Sequence, residues 1–299
     1  EAVAYQCRSG TKRTVVLVVP TIALAIDLDE RLRRNYTSLP SLISEGSWAW
    51  VSGVDDERRQ ELALGLETGT FPFLITSPES LTTNSLLSNH LRKAVEGGRL
   101  GAFVIDEAHL FTQWGWSFRP EYREIARLWK DLQKLSTESG EFKTICMTAT
   151  MGSEEMRDLI EHFGSEGKNS FVADCFFRKE PDFWIAKDSD PTERESRVLE
   201  AVDHLPRPLL IYVSTKIDAA KWETKILERG FSRVAVVTGD TTTSKRAEVL
   251  SRLKLGDADK GGVDVVIATS AFGLGISYDQ IRSVIHACVP ETVDRWYQE

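Results

Sequence analysis

The sequence predicts an α/β protein built as two lobes, each a parallel sheet flanked by helices. Three observations carry that prediction. Short β-branched runs alternate with amphipathic stretches from one end of the chain to the other, the order that repeated strand-helix-strand units produce. Several of the runs are apolar on successive rather than alternate residues, as strands covered on both faces should be. One polar interval carrying Pro181 and Pro191 interrupts the alternation, and at 299 residues the chain is longer than a single core usually supports.

The strand candidates, in order, are Thr14–Val19, Phe73–Ile75, Ala102–Ile105, Thr144–Met147, Leu209–Val213, Val234–Val237, Val263–Ala268 and Ser283–Ala287. Helices lie between them. After Ser153, the residues Met156, Leu159, Ile160 and Phe163 share one helical face, and Gly164 is placed to turn left-handed at its end. Ala219, Trp222 and Ile226 repeat the pattern before Gly230, as do Val249, Leu250 and Leu253 before Gly256. The alternation breaks between Phe176 and Pro208, which puts a boundary near Arg178–Lys187 and predicts lobes spanning 1–180 and 181–299. The chain has no repeat of solenoid period.

Bulk properties narrow the function classes. A formal net charge of -8 argues against indiscriminate coating of nucleic acid, so any nucleic-acid site must be confined to a local groove. Cys7, Cys146, Cys175 and Cys288 lie far apart, without a C-x-x-C pair or a histidine at ligand spacing. They read as reduced thiols and not as a zinc site. The most apolar segment, Val15–Ile26, contains Pro20 and falls short of the roughly 20 residues of a membrane span, so no membrane partner is expected. With no signal region at the start, the cytoplasm is the expected compartment.

In parallel α/β sheets, ligands collect outside the carboxyl ends of the strands. Polar groups follow one predicted strand after another: Pro20-Thr21, then Thr76-Ser77-Pro78-Glu79, then Asp106-Glu107-Ala108-His109, then Thr148-Ala149-Thr150. The first lobe should therefore carry them all on one rim. An aspartate emerging from a buried strand can hold the water shell of Mg²⁺, while the next acid, pointing elsewhere, deprotonates a water attacking a γ-phosphate. Taken by itself, the pair Asp106-Glu107 is equally compatible with two solvated acids at a strand end.

The text around the pair is more specific. The stretch "VIDEAHLFTQWGWSFRPEY" (Val104–Tyr122) resembles the nucleotide-hydrolysis motif of superfamily 2 helicases and, more narrowly, of their RecQ-like branch. There the motif runs into an aromatic-rich loop, and Gln113-Trp114-Gly115 and Phe118-Arg119-Pro120-Glu121-Tyr122 match it position by position. Similar likenesses follow along the chain. "VVPTIALAIDL" and "ITSPESL" resemble motifs Ia and Ib, "TAT" motif III, "LIYVSTKIDAAKW" motif IV, and "VDVVIATSAFGLGISYDQIRSVIHACVP" motif V. Two positions depart from the pattern: Lys216 stands where the family usually has arginine, and Ser277 where it has Asp or Asn.

The resemblance implies two RecA-like lobes, ATP and Mg²⁺ as cofactors, and DNA, single-stranded or forked, as partner. It implies that Asp106 holds Mg²⁺, that Glu107 is the general base, and that His109 and Gln113 relay closure of the cleft. Thr148, Thr150, Gly273 and Gly275 would couple the lobes, the glycines because a bare backbone can approach a phosphate. Thr21, Thr76 and Thr269 would lie against the bound strand, with Trp114, Phe118 and Arg119 as its stacking and cationic sensor. For Phe118 and Tyr122, plain core packing is the competing reading. Translocation from 3′ to 5′ is implied by the family alone.

No G-x-x-x-x-G-K-[ST] occurs; "GSEGKNS" (Gly164–Ser170) has the wrong spacing. "EAVAYQC" resembles the helix that follows the family's phosphate-binding loop, and "VPETVDRWYQE" the approach to motif VI. The expectation is an excerpt of a longer protein, weak in ATP hydrolysis on its own while the parent is competent. Two rivals remain open at this stage: a superfamily 2 translocase of a bacterial defence or DNA-modification system that does not unwind, and a nucleic-acid-binding module without hydrolysis.

Overall fold

The computed structural model describes residues 12–35, 46–111, 120–136, 141–164, 168–173, 179–187, 190–255, 261–272, 280–290 and 293–298. The chain divides into two compact units, Glu1–Val172 and Ala173–Glu299.

In the first unit the described elements run β1 (Thr14–Val18), α1 (Ile22–Asn35), β2 (Ala49–Trp50), α2 (Asp56–Thr68), β3 (Phe73–Thr76), α3 (Pro78–Thr83), α4 (Ser85–Glu96), β4 (Leu100–Ile105), α5 (Pro120–Ser136), β5 (Lys143–Cys146) and α6 (Ser153–Phe163). The sheet order is β2-β3-β1-β4-β5, every pairing is parallel, and Val18 stands beside both Thr76 and Ile105. Strands β1, β3 and β4 are buried along their whole length, which accounts for their unbroken apolar text. Helix starts are set by side-chain caps: Asp55, Ser77 and Asn84 accept from the amides of Arg58, Ser80 and Leu87. The core is one cluster in which Trp48, Trp50, Phe73 and Phe103 are the bulkiest fully buried side chains. Asp29 is buried with it, accepting from the amide of Trp48 at 2.8 Å and facing Arg33 at 3.3 Å, so its charge is compensated.

The second unit runs α7 (Pro191–His204), β6 (Leu209–Tyr212), α8 (Lys216–Glu228), β7 (Val234–Val237), α9 (Thr243–Lys254), β8 (Val265–Ala268), a 3₁₀ turn (Ser270–Phe272), β9 (Ser283–His286) and α10 (Val293–Gln298). Its parallel sheet has the order β7-β8-β6-β9. Successive strand residues point to opposite faces and build two cores. Leu209, Ile211, Val265 and Ile267 meet Val198, Val202, Ala219 and Ile226 of α7 and α8. Leu210, Tyr212, Val266 and Ala268 meet Val249, Leu253 and Phe272. At the opposite end from the rim, Arg233 grips the half-buried Asp264 with two nitrogens of its guanidinium, and their backbones pair as well.

All eight predicted strands are present, in two parallel sheets. Three local differences have physical reasons. Strand β2 is an addition: with two residues it is too short to show a period. Within the polar interval, Pro191–His204 is helical, capped by Asp190 and started by Pro191 in the first turn; only Val198 and Val202 of it are buried. Finally, Gly230 is left-handed at φ 92°, whereas Gly164 ends its helix extended at φ -80°. Its lack of a side chain matters for space instead, since a Cβ there would fall 2.2 Å from the carbonyl of Ile160. Among the described residues no helix is long and apolar enough to cross a membrane.

Candidate active site

Strand β4 lies between β1 and β5 and delivers the acid pair to the carboxyl edge of the sheet. The ladder runs on past the strand: the amide of Asp106 donates to Val18 at 2.9 Å and that of Met147 to Ile105 at 2.8 Å. Glu107 then takes φ 50°, the only positive φ on a non-glycine among the described residues. Such a conformation costs about 1–3 kcal/mol and persists where surrounding bonds impose it. Here they do. The amide of Glu107 donates to the Asp106 carboxylate at 3.0 Å, the amide of Ala108 to Met147 at 2.9 Å, and the amide of Leu110 to Glu107 at 2.9 Å. Phe111 closes the turn by packing edge-on against Phe163 of α6, with ring centroids 4.9 Å apart.

The two acids differ in environment. Burial pushes the Asp106 carboxyl above its ordinary value, the neighbouring charge of Glu107 adds to the shift, and the Glu107 amide and His109 oppose it. Glu107 has a buried Oε2 that accepts no hydrogen bond among the described residues and lies 3.3 Å from His109 Nδ1. His109 is itself 3% exposed, and its Nδ1 is 2.8 Å from Thr148 Oγ1.

The tautomer of His109 follows from its neighbours. Thr148 commits its hydroxyl proton to the carbonyl of Thr150 at 2.8 Å, so its oxygen is left to accept. Nδ1 of His109 therefore carries the proton, and that proton faces Thr148 on one side and Glu107 on the other. Asp106-Glu107, His109 and Thr148-Thr150, predicted as separate rim groups, form one contiguous polar chain.

Such a site suits a hard cation. One carboxyl resists ionisation because it is buried beside another negative group, and a second carboxylate oxygen lies buried without accepting a hydrogen bond among the described residues. Both would be relieved by a divalent ion with oxygen preference, which Asp106 would hold.

The remaining sequence-predicted residues fall differently. Thr21 follows β1 and caps α1, accepting from the amide of Leu24 at 3.2 Å. Thr269 follows β8, its amide bound to Val237 at 3.2 Å and its carbonyl starting the 3₁₀ turn. Thr76 is a correction. It is 0% exposed, and its hydroxyl donates to Trp50 at 3.2 Å, so it ties β2 to β3 and does not face a ligand. Gln113, Trp114, Phe118, Arg119, Gly273 and Gly275 lie outside the described residues. Sequence reasoning assigns no role to Asp240, which pairs with Lys216 on the rim of the second unit; the residue lies in "VVTGDTTTSKRAEVLSRLKLGD", which resembles the family stretch preceding motif V.

Comparison with known proteins agrees with this geometry. Residues 2–159 match the family model of the DEAD/DEAH box helicase, and residues 194–299 that of the helicase conserved C-terminal domain. An ATP-dependent DNA helicase RecQ of Haemophilus influenzae is 25% identical over 285 residues, covering 95% of this chain and 41% of the relative. A probable ATP-dependent DNA helicase RecS of Bacillus subtilis is 27% identical, covering 95% and 52%. The ATP-dependent DNA helicase Q-like 4B of Arabidopsis thaliana is 26% identical, covering 100% and 24%. The chain thus spans about half or less of these relatives. Among solved structures, the DUF1998 helicase MrfA bound to DNA superposes with a TM-score of 0.67 at 18% identity, covering 99% of this chain and 41% of that one.

Proposed function

We propose, from the premise that this chain belongs to the DEAD/DEAH box helicase family and is a RecQ-like superfamily 2 helicase core, that it is the motor of an ATP-dependent DNA helicase. The observation that carries the reading is the continuous chain from Asp106 and Glu107 through His109 to Thr148 and Thr150.

Mg²⁺ held by Asp106 would supply Lewis-acid stabilisation of the γ-phosphoryl oxygens of ATP. The protein's own part is proton handling and orientation. Glu107, with an oxygen free of hydrogen bonds, takes a proton from the attacking water. His109, donating from Nδ1 to Thr148 and lying 3.3 Å from Glu107, links the two, so a shift of the Thr148–Thr150 segment is felt at the base. Gln113 extends that relay, and Gly273 and Gly275 couple the second unit to the nucleotide. Thr21 and Thr269 contact the backbone of a single strand, while Trp114, Phe118 and Arg119 stack on its bases and report its arrival. The strand is DNA, single or at a fork, moved 3′ to 5′ and unwound.

The test uses the full-length protein. ATP turnover should rise with single-stranded DNA, and Glu107→Gln should abolish turnover while leaving DNA binding in place. Truncating Trp114 and Arg119 should remove the stimulation. Turnover unchanged in Glu107→Gln would sink the catalytic assignment. Strand displacement should occur on forks with a 3′ tail; ATPase without displacement on any substrate would indicate a translocase that does not unwind.

A further inference from the structure

On the second unit's rim, one ion pair stands apart from the surface pairs within single helices. Lys216 is the first residue of α8, just past the carboxyl end of β6. Asp240 lies just past the carboxyl end of β7. The sheet order puts β8 between those two strands, so the pair formed by the Lys216 ammonium and the Asp240 carboxylate reaches over the end of β8, a span of about 10 Å for two strand spacings. The residue that leaves β8 at that point is Thr269.

Both ends of the bridge are built independently of it. Thr215 caps α8, accepting from the amide of Asp218 at 3.1 Å. The turn bearing Asp240 is closed by Thr238 and Thr241, which exchange bonds of 2.9 and 3.1 Å. Yet the bridge itself is open to water: the two side chains are 56% and 74% exposed. Exposed pairs are weak, and an incoming anion can displace the carboxylate.

We infer that Asp240 is an affinity-setting residue: its carboxylate occupies the place on Lys216 that a DNA phosphate takes, and strand binding at Thr269 proceeds by exchange of one anion for the other. This rests on the reading of Thr269 as a strand contact. The exchange keeps the lysine from holding the strand too tightly for stepping, and it places a negative charge beside each phosphate that passes.

The experiment measures binding of a fluorescent single-stranded DNA to the full-length protein. Asp240→Asn should tighten binding about two- to fivefold at low salt, the range an exposed ion pair covers, and the gain should shrink as salt rises. Lys216→Ala should weaken binding. In the double variant Lys216→Ala with Asp240→Asn, most of the gain should vanish, because the carboxylate no longer has a cation to occupy. Asp240→Asn binding equally or more weakly overturns the inference, as does a gain undiminished in the Lys216→Ala background. If the wild type binds DNA and its ATPase responds, such a result removes only this inference; if the wild type shows neither response, the helicase reading falls with it.

Discussion

The two rims hold their charges in opposite settings. At the carboxyl ends of β1, β4 and β5 the first unit gathers acids, a histidine and hydroxyls that are half-buried or buried, with a carboxylate oxygen that accepts no hydrogen bond among the described residues. At the ends of β6, β7 and β8 the second unit shows exposed or half-buried hydroxyls and an exposed lysine-aspartate pair. Burial makes the difference. A charge removed from water is poised to act on whatever neutralises it, whereas a charge in water changes partners at little cost. Chemistry belongs to the first arrangement and repeated gripping and release to the second.

The largest effect expected from breaking this contrast is at Glu107. Replacing it by glutamine should lower the steady-state ATPase rate at saturating DNA by about 10²- to 10⁴-fold, the usual contribution of a general base. A smaller drop would mean that the buried acid is not the proton acceptor. Next comes the core that holds the acids. Phe103 is fully buried in β4, and Phe103→Ala should destabilise the first unit by about 3–5 kcal/mol in denaturant unfolding. Both pieces of the contrast would be damaged if the second unit's transition moved by the same amount.

A subtler variant sharpens the comparison through pH. The Asp106 carboxyl is raised above the ordinary aspartate value of 3.8 by burial and by Glu107, so the folded protein binds that proton more tightly than the unfolded chain does. Stability from this group is therefore complete at pH below 3.8 and is lost as pH rises through the folded value. Asp106→Asn should raise the Tm at pH 8, and the gain should shrink as pH falls toward 4.5. A constant gain, or none, would show that Asp106 carries no electrostatic strain. Smallest of all, Thr76→Val should leave DNA affinity within twofold while lowering stability by about 1 kcal/mol through its lost bond to Trp50; a large affinity loss would restore Thr76 to the strand contacts.

The positions of the eight main strands were legible because a strand covered on both faces has no need of polar residues, and runs such as Thr14–Val18 and Val265–Ala268 are written that way. Helix α7 was hidden because it buries little and its sequence is dominated by charge. The site shows a similar division. That Asp106, His109 and Thr148 share one rim follows from strand order alone. The inward turn of the Thr76 hydroxyl does not, because the last residue of a strand can present its side chain to either face. Nor does the left-handed backbone of Glu107, which comes from bonds to Met147 and Asp106 across the sheet edge and leaves no trace in residue type.

Strand β2 has one more consequence. Sheets with a long open margin invite a neighbouring molecule to add its own backbone and so begin an ordered aggregate. Among the described residues the outer strand on this flank is two residues long, and both Ala49 and Trp50 are buried. So short a margin presents too few amides and carbonyls to seed a foreign strand, and this flank of the first unit is protected against fibrous self-association while the protein is folded.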